Sequence, residues 1–229
     1  VLTVVFALVL CGAVSAEDST NGTVNDTSTY STNLTDTGST DTAQVLSGSD
    51  CLPTVAHGTI NGEVYISSIA NWASTNTTNN FDVPEGTVVN ATLYIGVWSA
   101  GWLTDSSSID VSYNGNQLSS TPNYYSSDMG VTWIPYSVTD YTLVGNTNTA
   151  LINSGNWGDG RQYGCTLVVI LDNETKPEIE YWITEGLDWV QGNNWSYTTL
   201  EGTVDLSNVQ DASLYTVVLT GYGDENLNN

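Results

Sequence analysis

Apolar and polar residues alternate strictly from Thr87 to Trp98 (TVVNATLYIGVW), with Val89, Ala91, Leu93, Ile95 and Val97 on one face. Asn90 and Thr92 fall on the other face, so this run predicts a strand with one side in a core. Ile109 to Tyr113, then Asn114-Gly115, then Asn116 to Ser119 predicts a hairpin, because Asn-Gly suits the positive φ angles of a type I′ turn. Further runs rich in β-branched and aromatic residues predict strands at 62–69, 131–138, 149–153, 162–171, 177–184, 198–206 and 213–221. No window carries a convincing helical period, apart from one turn suggested near 186–191. About ten short strands separated by Gly, Asn and Pro predict an all-β protein, an antiparallel β-sandwich of jelly-roll-like type.

Residues 1–16 (VLTVVFALVLCGAVSA) break this texture with an apolar run ending in small residues. They predict a signal peptide cut after Ala16 and hence an extracellular, cell-surface protein; Cys11 as a lipoprotein cysteine is the alternative, disfavoured by the bulky Leu10. Residues 17–50 are a low-complexity Thr/Ser/Asn/Asp spacer with too little apolar area to offset the ordering cost, so they predict disorder. Residues 51–229 form the expected single sandwich domain; the absence of a basic n-region and of a C-terminal sorting signal suggests truncation and further domains in a longer chain.

Composition narrows the function. Of 229 residues, 25 are acidic and 2 basic, a net charge of −23, and His57 is the one histidine. Nucleic-acid binding by phosphate neutralisation and direct binding to anionic membranes both lack their cations. A histidine-based triad and a multi-histidine metal site are both nearly excluded by the count of one. Seven N-x-S/T sequons, at Asn21, Asn25, Asn33, Asn76, Asn90, Asn173 and Asn194, fit a glycoprotein. Once the signal is removed, Cys51 and Cys165 remain, and either a disulfide between them or two buried thiols fits an exported chain.

The block Asp159-Gly160-Arg161-Gln162-Tyr163-Gly164-Cys165, followed by TLVVIL and by EYWITEG over 180–186, resembles the signature of an uncharacterised domain family. That family, a domain of unknown function, occurs in adhesin-like surface proteins of methanogenic archaea. Phe81-Asp82-Val83-Pro84 before ATLYI, and YSVTDY over 136–141, look like earlier blocks of the same domain. The resemblance spans roughly residues 58–221 and implies an archaeal envelope protein with no established enzymatic role. Cys165 stands where members commonly carry a small residue, so no disulfide follows from the family.

Four groups of residues could carry chemistry. Arg161 is expected to make a structural ion pair with Glu180 or Glu185, the alternative being a ligand carboxylate. Among the eight tryptophans, Trp182 reads as core, whereas Trp98 and Trp102 flank Ser99-Ala100-Gly101 and Trp157, Trp189 and Trp195 lie in expected loops rich in Gly or Asn. They either cap the core or form a platform for sugar rings. Oxygen-rich loops at Asp159 and Asp224 could bind calcium if several loops converged, and otherwise no cofactor is expected. Glu178 and Glu180, alternating on one strand, are the remaining route to a glycoside hydrolase, though paired acids on an exposed strand are usually a solvated face. The leading expectation is therefore a non-catalytic adhesin-like or envelope structural module, with a surface or glycan partner. The alternative is a carbohydrate-binding module using loop tryptophans.

Overall fold

The computed structural model describes residues 3–9, 52–98, 109–119, 125–126, 131–155, 162–186, 188–190, 200, 209 and 212–220. Among the described residues every regular element is a strand, save one 3-10 turn at Thr139–Tyr141. The sheets are antiparallel and stack like a sandwich. The strands are β1 (Thr3–Val9), β2 (Thr54–Ser74), β3 (Asn76–Val83), β4 (Thr87–Trp98), β5 (Asp110–Tyr113), β6 (Asn116–Gln117), β7 (Tyr125–Ser126) and β8 (Val131–Ser137). β9 (Asn146–Asn153), β10 (Gln162–Asp172), β11 (Glu178–Thr184), β12 (Asp188–Val190) and β13 (Leu214–Thr220) follow. The helical turn suggested near 186–191 is instead strand β12, and residues 198–206 lie outside the described set except for Leu200.

A six-stranded sheet in the order β11-β2-β10-β4-β8-β7 lies at the centre. One of its faces packs on a four-stranded sheet, β3-β9-β5-β6, around Leu93, Ile95, Ile134, Leu167, Phe81 and Ile152. Its other face carries Tyr94, Trp133, Tyr163, Ile170, Tyr181 and Ile183, against which Val217 of β13 packs. β13 belongs to a three-stranded sheet, β12-β1-β13, and brings Val217 against that second face. This explains a sequence feature that alternation does not: β10 is buried at every position from Gln162 to Leu171. A strand with two buried faces reads as a continuous apolar run. Residues 3–9 of the run that predicts an export signal form β1, the middle strand of the outer sheet.

β4 keeps its expected limits, but its alternation slips at one place. Ala91, Leu93, Ile95 and Val97 are buried, whereas Val89 is 46% exposed. The pairing with β10 shifts register between Ile170 and Leu171, so Val88 pairs with Leu171 and Asn90 with Ile170. That bulge turns Val89 outward and lets Val88 take its place against the core. The expected hairpin is present, with Asn114 at φ 50° and Gly115 at φ 78°, both left-handed as a type I′ turn needs.

Tyr136 lies in the apolar core between the two larger sheets. Its hydroxyl is buried without a hydrogen-bond partner, and desolvation pushes its pKa above the usual phenol value. An unmatched buried hydroxyl costs about 1–3 kcal/mol. Tyr136→Phe should therefore raise stability by about 1 kcal/mol in urea unfolding, and a loss of that size would show that the hydroxyl has a partner.

Candidate functional site

An open groove of about 320 Å³ lies on the outer face of the four-stranded sheet. Register places two ladders of side chains across it. Thr78 lies opposite Leu151, Leu151 opposite Ser112, and Ser112 opposite Gln117. One step along, Asn76 faces Asn153 and Asn153 faces Asp110. These residues face outward because β3 and β9 alternate, sending Phe81, Val83, Ala150 and Ile152 into the core. Leu151 is the apolar exception on this face, 49% exposed in the middle of the first ladder. Gln117 Nε2 donates to Asp110 Oδ1 at 2.5 Å, and Asn153 Oδ1 accepts from the Gly155 amide at 2.8 Å.

A buried polar network holds the groove from beneath. Thr77 Oγ1 donates to Gln162 Oε1 at 2.6 Å and accepts from Asn79 Nδ2 at 3.0 Å. Asn79 Oδ1 accepts from Asn71 Nδ2 at 2.8 Å. Gln162 Nε2 in turn donates to the carbonyls of Thr75 (3.2 Å) and Ile152 (3.3 Å). Gln162 and Asn79 are buried, and such fully partnered networks fix the position of the backbone around them. Here that backbone is the stretch of β3 and β9 that presents the groove.

A second cluster lies where β2 and β11 pair. His57 Nε2 and Glu180 Oε1 are 2.9 Å apart, and the imidazole stacks on the Trp182 indole at 4.6 Å and 14°. His57 and Trp182 are cross-strand partners, which is why a buried indole and a half-exposed imidazole meet face to face. Glu178, the other candidate acid, is exposed on the same strand. On the aromatic face of the central sheet, the Tyr94 hydroxyl donates to Glu185 Oε2 at 2.7 Å, and its ring stacks on Trp133 at 5.2 Å.

The two acids expected to pair with Arg161 thus have partners in His57 and Tyr94; Arg161 itself lies outside the described residues. The lysine, Lys176, pairs with Glu63 at 3.6 Å in an exposed setting worth about 0–1 kcal/mol. Of the tryptophans proposed as a sugar platform, Trp98 ends β4 and Trp189 lies in β12, while Trp102, Trp157 and Trp195 lie outside the described residues. Trp182 is core, as its strand pattern suggests, and so is Trp133. Asp159 and Asp224, the candidate calcium ligands, are outside the described residues, and no group of three or more His, Cys, Asp or Glu side chains converges within them. Among the sequons, Asn76 and Asn90 are exposed and Asn173 is half-buried in the β10–β11 turn. There Asn173 Oδ1 accepts from both the Thr175 amide (3.0 Å) and hydroxyl (2.7 Å). Asn21, Asn25, Asn33 and Asn194 lie outside the described residues.

Cys165 is a free thiol in the core between the two larger sheets, 1% exposed, and Cys51 lies outside the described residues. Burial pushes the Cys165 thiol well above its ordinary pKa, so little nucleophilic thiolate forms at neutral pH. The native chain should leave Cys165 unmodified by a thiol reagent at pH 8, with the residue labelled only after unfolding in urea. Rapid native labelling at Cys165 by peptide mass mapping would contradict this burial.

The fold and the groove define a β-sandwich-like domain with an open groove lined mostly by neutral hydrogen-bonding side chains. The chain belongs to the family described as "Protein of unknown function (DUF3344)", whose model matches residues 46–229. No curated protein matches it, and no solved structure does.

Proposed function

We propose that the chain is a non-catalytic surface module, adhesin-like or structural, of an exported envelope protein like those of methanogenic archaea. The observation that carries this reading is the outer face of the four-stranded sheet. Its amides and hydroxyls sit on strands fixed by the Gln162–Thr77–Asn79 network, a rigid arrangement suited to contact. Acidity supports the same reading: a net charge of −23 keeps an exported domain soluble and discourages self-association at low salt. A second reading is carbohydrate binding, favoured by Leu151 standing among neutral polar groups in that groove.

Export is tested by expressing the chain with its own N-terminal segment in an archaeal host and determining the mature N-terminus. The expected result is a chain beginning at Glu17 and digested by protease added to intact cells. A protease-resistant cytoplasmic chain that keeps residues 3–9 would overturn the surface reading. A panel of glycosidic substrates tests catalysis, since turnover lost on Glu180→Gln would replace a binding module with an enzyme.

A further inference from the structure

We propose that the groove on the four-stranded sheet is a binding site for a neutral oligosaccharide, which rests on reading the chain as a surface binding module and names its ligand. Three properties of the groove select that chemistry. First, its polar groups are mostly neutral. The Asn76 and Asn153 amides and the Thr78 and Ser112 hydroxyls each both donate and accept, as the vicinal hydroxyls of a sugar require. Second, Leu151 offers an exposed apolar surface at the centre, against which the C–H face of a pyranose ring can pack. Third, the one charged group in the lining is the Asp110 carboxylate, with no cation among the described lining residues, in a chain of net charge −23. An anionic ligand would therefore be repelled, and a lone carboxylate falls short of the six to eight oxygens that calcium takes.

The dimensions agree. Four strands at a spacing of about 4.8 Å span roughly 14 Å from Thr78 to Gln117, room for two to three sugar rings laid across the strands. Preorganisation comes from below: Thr77, whose hydroxyl joins the buried network, holds the chain between Asn76 and Thr78. A ligand in the groove then costs little ordering of the backbone.

The sugar could reach the groove from two sources. It could be a glycan of the surroundings, or the chain's own, because Asn76-Thr77-Thr78 is a sequon and Asn76 lies in the lining. Both present the same neutral hydroxyl-rich surface, and the arms of one experiment separate them. The full chain and its Asn76→Gln, Ser112→Trp and Leu151→Ala variants are produced in a non-glycosylating host and applied to an array of neutral and anionic oligosaccharides. Hits are measured by titration, with the thermal midpoint confirming that each variant is folded. The same proteins from a glycosylating host are then measured before and after enzymatic deglycosylation.

The expected result is retention of neutral oligosaccharides by the unglycosylated chain, with weaker retention by Asn76→Gln, which displaces one amide of the lining. Affinity should fall about tenfold or more in Ser112→Trp, which fills the groove, and in Leu151→Ala, which removes the ring-packing surface. Binding that appears in the glycosylated chain only after deglycosylation, but in glycosylated Asn76→Gln without it, would identify the Asn76-linked glycan as the resident sugar. The proposal is overturned if no neutral oligosaccharide binds the unglycosylated chain, if only charged glycans bind, or if binding survives both groove variants. Loss of binding on tryptophan replacement alone, with the groove variants unaffected, would also overturn it and move the site to the loops. Because the array reads binding by purified protein, failure here leaves the exported surface reading standing, and failure of export leaves the groove result standing.

Discussion

Gly62→Ala should lower the stability of the chain by about 3 kcal/mol or more, a fall of roughly 6–12 °C in thermal midpoint for a domain of this size. Gly62 is where β2 changes partner. Its first part, up to Asn61, pairs with β11, and from Gly62 onward it pairs with β10. The Gly62 amide donates to the Pro177 carbonyl at 3.0 Å, and the Asn61 carbonyl accepts from the Asn173 amide at 2.7 Å. These bonds draw the β10–β11 turn tightly over the strand. A β-carbon on Gly62 would lie 1.9 Å from the Leu171 carbonyl oxygen, far inside contact distance. That oxygen belongs to the backbone of a strand paired on both sides, so relief requires moving β10 or giving up the hand-over. Gly58→Ala is the control. Its β-carbon would meet the Tyr181 hydroxyl at 2.9 Å, the far end of a side chain that can rotate, and should lose only about 1 kcal/mol. Equal effects from the two substitutions would show that backbone proximity at Gly62 is not what matters.

The elements legible in the sequence are those whose cause is local. β4 and the Asn114-Gly115 hairpin follow from period 2 and from the turn's own positive φ angles, and both lie where the pattern puts them. β3 does not announce itself, because NTTNNFDV has only Phe81 and Val83 as apolar inward positions. Its third inward residue is Asn79, whose burial is tolerable only because Asn71 and Thr77 supply its hydrogen bonds. The exposed Val89 follows from a bulge against β10 and has no signature in its own neighbourhood. Nor does the sequence show that β10 is covered twice, although its unbroken apolar run is the trace of that burial.

The groove is hidden in the sequence for a related reason. Its residues come from three separated stretches, 76–78, 110–117 and 151–153, and only strand register brings them together. Singly, each is an ordinary polar residue on an exposed strand. The pairing of His57 with Glu180 likewise spans 123 positions, and Trp182 joins it only through the β2–β11 register. Rare residues such as the tryptophans and Arg161 stand out along the chain because of their scarcity or size. The groove is built instead from common ones.

Asn148→Asp tests the other place where the fold depends on buried polar groups, and its expected signature is pH dependence. Asn148 is fully buried on β9 and uses both ends of its amide. Its Oδ1 accepts from the Leu143 amide and from Asn114 Nδ2, each at 2.7 Å. Its Nδ2 donates to the carbonyls of Leu143 at 2.8 Å and Asn146 at 3.1 Å. Asn114 in turn donates to the Tyr141 carbonyl at 2.8 Å, so one side chain ties the type I′ turn to the loop between the 3-10 turn and β9. An aspartate has the same shape but puts a carboxylate oxygen where Nδ2 stood, facing two carbonyl oxygens. The variant should lose about 3 kcal/mol or more at pH 7, from two orphaned acceptors and a desolvated charge. Burial and the two carbonyls raise the folded-state pKa of the new carboxyl above its unfolded value of about 3.9. The charge penalty is then complete above the folded pKa and shrinks as pH falls, vanishing below the unfolded value, where both states are neutral. The gap between variant and native chain should therefore narrow by more than 1 kcal/mol between pH 7 and pH 4 in urea unfolding, because each pH unit separating the folded and unfolded pKa values is worth about 1.4 kcal/mol. Asn148→Ala orphans the same two carbonyls and also the Leu143 amide and Asn114 Nδ2, but adds no charge, so its gap should stay constant over that range. A constant gap for the aspartate variant as well would mean that solvent reaches position 148 and the amide is not the buried tie between turn and loop.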